Sequence, residues 1–282
     1  MSMDSIAKTL SKAILANWLR ILLGAVSVAA FLTVWSLFSA WLHADWPFAG
    51  GTPSDVADRL PYPWAVLSAF FSSFTHRESG LYMTDHIYAS LKRIFFGFVI
   101  SFCSAVPIGL LMGRSRNAEA IGKPIVELFR PIPPIAWVPI FLIVLGFLWG
   151  PIAIVFFGMF FPILLNVTFG ARSVDPVLID VARTLGARPK DVFVKVVLPF
   201  TLPYMMTGIK VGLGVGWMCI VAAEMLGAVG GGVGYYIWNM ANQYGMYDKM
   251  YAGMLVIGLL SVLTTGVAAL FERRLTRWMG MK

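Results

Sequence analysis

The sequence is poor in charge. Only 13% of its 282 residues are Asp, Glu, Lys or Arg, about half the share of a soluble globular domain, which excludes an ordinary water-soluble enzyme. Acidic residues are the scarcer sign, 14 against 22 Lys and Arg. Cysteine is nearly absent. Cys103 and Cys219 both fall inside apolar runs, where a thiol packs as a small hydrophobe, so neither a disulfide nor a metal pair is expected. The three histidines, His43, His76 and His86, lack metal-ligand spacing. No G-x-x-x-x-G-K-S/T run occurs, so the chain is not expected to hydrolyse ATP itself. The apolar runs show no sustained alternation with polar residues, which argues against a transmembrane barrel.

Apolar residues dominate instead, at 59% with a mean hydropathy of +0.78. Several runs approach or exceed the roughly 18 residues that cross a bilayer. Helices are the expected form, because the backbone must satisfy itself in lipid. Six spans are predicted, at about 21–42, 88–112, 131–147, 152–169, 205–228 and 251–271, with a tight Trp149-Gly150-Pro151 turn between the third and fourth. The first is too long for a signal-peptide core and lacks a small-residue cleavage site after it, so it reads as an anchor. Residues 43–86 read as a polar outer loop, with Asp45, Asp55, Asp58 and prolines at 47, 53, 61 and 63. Residues 114–130 read as a basic loop. Sixteen Lys and Arg fall on one side of these spans and three on the other. By the positive-inside rule both termini are cytoplasmic. The same rule accounts for the net charge of +8 without a nucleic-acid partner. The chain thus divides into an anchor helix with outer loop (1–85), a core (86–271) and a cytoplasmic tail (272–282).

The most informative stretch is 180–199, DVARTLGARPKDVFVKVVLP, in the cytoplasmic segment 171–199. Asp175-Pro176 is a helix start, with a side-chain acceptor at the N-cap and proline at the first helical position. Val177, Leu178, Val181, Ala182 and Leu185 share a face at helical spacing. Gly186 stands where a helix needs a left-handed residue to stop. Pro189 opens a second short helix, with Val192, Phe193, Val196 and Val197 on its apolar side, and Pro199 is expected to close it. Such a pair of amphipathic helices either docks a partner protein or lies on lipid headgroups.

The stretch resembles the cytoplasmic loop of ATP-binding-cassette importer permeases, whose pattern is E-A-A, three residues, G, nine residues, I, one residue, L-P. Asp180, Val181 and Ala182 stand at the E-A-A positions, Gly186 at the glycine, Val196 at the isoleucine, and Leu198-Pro199 at the end. The departures are Asp for Glu, Val for the first Ala and Val for Ile. RPIPPIAWVPIFLIVLGF at 130–147 and VAAEMLGAVGGGVGYYIW at 221–238 look like the subgroup importing nitrate, taurine, alkanesulfonates or bicarbonate. The resemblance implies an all-α integral inner-membrane permease with the type I importer fold. It also implies a coupling loop that includes Arg183, Leu185, Ala187 and Arg188. The implied partners are two cytoplasmic ATPase subunits holding ATP and Mg, a second, identical permease copy, and an extracytoplasmic solute-binding protein. The implied cargo is a small anion.

Residues of the translocation path or gate are expected among Pro133, Pro134, Trp137, Asn166, Lys210, Glu224, Gly231, Gly232, Tyr235 and Asn239. Prolines 131, 133, 134 and 139 forbid one unbroken helix and mark either a kink or a cavity wall. The glycines at 227, 230, 231, 232 and 234 form either a flexible outer turn or a gate; no strand–helix unit surrounds them, which excludes dinucleotide binding. Glu224 lies inside an apolar span, where a carboxylate needs a partner. A lysine of a neighbouring segment such as Lys210 is one candidate; a pair within one helix is excluded by the fourteen-residue separation, about 21 Å. Lys210 otherwise snorkels to the cytoplasmic side. A self-contained secondary transporter is the alternative reading, but it favours an inverted repeat and several buried carboxylates. A membrane enzyme lacks a convergent catalytic set.

Overall fold

The computed structural model describes residues 3–44, 59–78 and 80–276. The described elements are helices, apart from one isolated bridge between Glu78 and Leu81. They are α1 (Met3–Ala44), α2 (Pro63–Thr75), α3 (Met83–Arg114), α4 (Arg116–Phe129), a 3-10 turn (Pro134–Trp137), α5 (Val138–Arg172), α6 (Pro176–Thr184), α7 (Pro189–Val192), a π turn (Phe193–Val197), α8 (Leu198–Leu226), α9 (Val233–Ala241) and α10 (Tyr247–Leu275). Five stretches are long and apolar enough to cross a membrane: Ile21–His43, Met83–Arg114, Pro134–Arg172, Pro189–Leu226 and Tyr247–Leu275.

The predicted third and fourth spans fall together in the Pro134–Arg172 stretch. Its break is at Gly146, with φ 70° and ψ 177°, rather than at Trp149-Gly150-Pro151. The chain folds back there. A Cβ on Gly150 would lie 3.2 Å from Leu142 Cα, whereas eight residues of straight helix span about 12 Å. Val138 and Ile154 are buried in one cluster, and Trp137 meets Phe157. Residues 131–146 therefore lie against 147–172 as an antiparallel limb built from a turn, a 3-10 turn and two turns of helix, and the prolines explain why this limb is not a regular span.

Around the long limb of α5 pack α3, running parallel, and α8, running antiparallel. Small residues set these crossings. Gly109 of α3 faces Leu164 and Val167, and Gly208 and Gly212 of α8 face Pro162, Ile163 and Asn166. Close approach through glycine is how membrane helices gain packing when lipid offers no hydrophobic drive. Ala105, Val155, Met159, Ile163, Val167 and Ile220 fill the contact completely. α10 runs antiparallel to α8, tied by Trp217 Nε1–H donating to Thr264 Oγ1 (3.0 Å) and by Lys210 to Glu272 (2.6 Å). α1 stands to one side. Ser39 Oγ donates to Leu60 O at 2.9 Å, and Trp35 lies against Tyr251.

Several loop assignments are corrected. Residues 63–75 form a helix that starts on Pro63, where a missing N–H costs nothing. Residues 116–129 also form a helix, capped by Ser115 Oγ accepting Ala118 N–H, with its glycine at 122 against Met112. Pro199 does not close the second loop helix. Leu198 N–H bonds to Phe193 O, a π-type bond, and this widened turn accommodates Pro199, which has no N–H to give. The helix therefore continues to Leu226. The expected outer-loop residues 45–58 and the basic tail residues Arg277 and Lys282 lie outside the described residues.

Candidate docking loop and outer gate

The loop after α5 is built by local caps. Asp175 Oδ1 accepts Val177 N–H at 2.8 Å, and Pro176 follows. The helix ends at Gly186, φ +84°, with Ala187 N–H to Ala182 O (3.0 Å) and Gly186 N–H to Arg183 O (2.9 Å). This is a Schellman ending, which a left-handed residue makes possible. Asp191 accepts Arg188 N–H at 3.3 Å and pairs with Lys195 at 2.8 Å. The apolar face divides. Ile179 and Val192 are buried, with Ala182, Ala187, Val196 and Leu198 packed on the same core. Val177, Leu178, Val181 and Leu185 are exposed, Leu185 at 82%. A cleft of about 380 Å³ opens between the two helices beside Leu185, Gly186, Asp191 and Lys195. The loop thus offers an apolar ridge next to a mixed-charge notch.

At the other end of the molecule, Glu224 of α8 is fully buried (0% exposed) and meets Arg93 of α3 (6%). Arg93 Nη1 donates to Glu224 Oε1 at 2.7 Å. Ser90 Oγ lies 2.8 and 2.9 Å from the two carboxylate oxygens, and Gly234 N–H donates to Oε2 at 3.0 Å. Arg93 also donates to Val229 O and Gly231 O, each at 2.7 Å. Val233 N–H donates to Ser90 Oγ (2.9 Å) and Gly232 N–H to His86 Nδ1 (3.1 Å). His86, Ser90 and Arg93 therefore form one helix face that holds the 227–234 turn through its backbone. A buried ion pair is tolerated when its remaining lone pairs and protons are satisfied in this way. Gly231 and Gly232 take φ of 84° and 152°, and a Cβ on Gly232 would collide with the Glu224 carboxylate.

The partner of Glu224 is thus Arg93, not Lys210, which pairs with Glu272 near the middle of α8. Of the other expected path residues, Gly231, Gly232 and Tyr235 join this cluster, Tyr235 stacking on His86 at 6.2 Å. Asn239 lies half-buried farther along α9. Asn166 Nδ2 donates to Pro162 O of its own helix at 2.8 Å. Pro133, Pro134 and Trp137 belong to the returning limb, where Trp137 sits among Phe129, Phe141 and Phe157. His86, Ser90 and Arg93 are functional candidates that the sequence reading passed over. Their spacing of four and three on a helix that also faces the buried Gly97 was the available signal.

Residues 105–277 match the family described as binding-protein-dependent transport system inner membrane component. The chain belongs to this family. The permease is 40% identical over 204 residues to an ABC transporter permease protein of Methanocaldococcus jannaschii (72% of this chain, 76% of the relative). It is 37% identical over 198 residues to the taurine transport system permease protein of Escherichia coli (70% and 71%). It is 31% identical over 256 residues to the nitrate import permease protein of Synechococcus elongatus (90% and 87%). Among solved structures it is similar to the MetNI methionine ABC transporter in an inward-facing form, with a TM-score of 0.58 and 21% identity, covering 68% of the permease and 94% of that chain. The fold is therefore that of an ABC importer permease, and the permease is the membrane-spanning subunit of a binding-protein-dependent transporter.

Proposed function

We propose that the permease is half of the membrane core of an ATP-driven importer. Two copies pair, and two cytoplasmic ATPase subunits, which bind ATP and Mg, dock on the 171–199 loop. An extracytoplasmic binding protein delivers a small anion, such as nitrate, bicarbonate, taurine or another sulfonate. The taurine and nitrate relatives support that substrate class. The returning limb at 131–146 serves as the third of six passages, and both termini face the cytoplasm of an inner membrane, in keeping with the excess of Lys and Arg on that side.

The observation that carries this reading is the exposed ridge of Val177, Leu178, Val181 and Leu185 beside the Asp191–Lys195 notch. An apolar face held outward by a fixed cap suits a protein groove, and the mixed charge beside it suits an anionic lipid surface poorly. ATPase closure moves this ridge, and the rigid run from Pro189 through α8 transmits the movement to the gate at Glu224.

Purification of the tagged chain from membranes in mild detergent tests the assignment. Wild type is expected to carry two ATPase subunits per two permeases, read by native mass analysis. Leu185→Asp, which puts a charge on the exposed ridge without touching the core, is expected to lose them while keeping the same yield and melting behaviour. A lone chain that moves solute in liposomes without ATP would instead make it a secondary transporter.

A further inference from the structure

Beside the held 227–234 turn, α3, the tip of the α5 hairpin and residues 229–230 border an open cleft of about 560 Å³. This is the size of a small-molecule site. Phe96, Trp149 and Ile152 give it an apolar wall, Tyr88 adds a phenol, and two cations line it, Lys92 and Arg93. Arg93 is already engaged by Glu224, Val229 O and Gly231 O. Lys92 is not: among the described residues its ammonium has no hydrogen bond and no ion pair. The acid that shares the cleft, Asp85, lies seven residues earlier, about 10 Å along the helix, and accepts Tyr82 N–H. One exposed ammonium without a protein partner among the described residues therefore lies at an apolar-walled cleft at the proposed outer mouth.

We propose that this cleft binds a small organic anion, with its charged head on the Lys92 ammonium and its carbon body against Phe96, Trp149 and Ile152. The proposal rests on the importer reading and adds to it a site within the permease itself. A sulfonate or carboxylate with a carbon chain uses both the charge and the wall, whereas nitrate or bicarbonate uses only the charge. A lipid phosphate presents the same head chemistry, and the test separates the two sources.

Calorimetry on the full permease with its ATPase partners, in detergent without added lipid, uses hexane-1-sulfonate and nitrate as probes. The sulfonate is expected to bind more tightly than nitrate. Lys92→Met is expected to weaken it about tenfold or more, the scale of one charge-assisted contact, and Lys92→Arg to retain it. Ala89→Leu, which fills the cleft and keeps the charge, is expected to weaken it as well and guards against misfolding of the lysine variant. Equal binding in wild type and Lys92→Met overturns the proposal. So does an absence of sulfonate binding to wild type, or, in a second titration with added phosphatidylglycerol, lipid binding that the sulfonate does not displace. Retention of the ATPase subunits in the same samples distinguishes a wrong cleft from a wrong importer assignment, because only the latter loses them in wild type.

Discussion

At the residue scale, the Arg93–Glu224 pair is the most consequential contact in the described structure. Taking two charges out of water is costly, and here the cost is offset by Ser90, Gly234 and two backbone carbonyls as well as by the pair itself. Removing one partner leaves the other buried and unpaired. Glu224→Leu is therefore expected to destabilise the permease by about 3–5 kcal/mol, while Arg93→Met with Glu224→Leu recovers most of that loss. Thermal unfolding of the purified variants checks this, and a double variant no better than the single one would show that the hydrogen bonds to the 227–234 turn matter more than the charge balance. The need of Glu224 for a partner was legible in the sequence, since a carboxylate in an apolar run is rarely free. Which partner it takes was not legible, because Arg93 lies 131 residues away and the pairing exists only once α3 and α8 pack.

At the scale of elements, the caps around the 175–186 helix were legible in a few adjacent residues, whereas the expected stop at Pro199 was not borne out. The start of α6 at Asp175-Pro176 and its end at Gly186 are capping chemistry, fixed by a few adjacent residues. The 116–129 helix is short and rich in charge, so its apolar signal is weak, and Ile121, Ile125 and Leu128 are its exposed apolar positions. The Gly208, Gly212 and Gly216 series on α8 was visible at a spacing of four and marks the face that meets α5. Its members differ in tolerance. A Cβ at Gly212 would meet Ile163 Cγ1 and Met159 O at 3.4 Å, ordinary contact, whereas one at Gly208 would meet Ile163 Cα and Pro162 O at 3.1 Å. Gly212→Ala is expected to leave stability nearly unchanged. Gly208→Ala is expected to cost about 1–3 kcal/mol by forcing two backbones apart, read as a lower melting temperature in detergent. Equal melting of the two variants would mean that the helices separate freely at this crossing.

At the scale of the whole molecule, helix direction carries the functional asymmetry. α3 and the long limb of α5 run parallel, α8 runs against them, and α10 runs against α8. This order places α4 and the 176–188 loop on one face, and the turns at 80–82, 147–149 and 242–246 on the other. In the proposed orientation the first face is cytoplasmic, in keeping with the charge asymmetry of the sequence. Pro189–Leu226 is one helical run of 38 residues, roughly 57 Å long, so the run that begins just past the Gly186 turn carries the buried Glu224 near its far end. In a Cys103→Ser, Cys219→Ser background, Leu185→Cys is expected to react with a membrane-impermeant maleimide in inside-out vesicles alone, and Gln243→Cys in right-side-out vesicles alone. Bound ATPase should shield Leu185→Cys and leave Gln243→Cys reactive. Labelling of both positions from one face would overturn the orientation. Labelling of Leu185→Cys that ATPase does not slow would preserve the orientation and remove the ridge as the docking surface, which shifts the link between motor and gate away from the Gly186 turn.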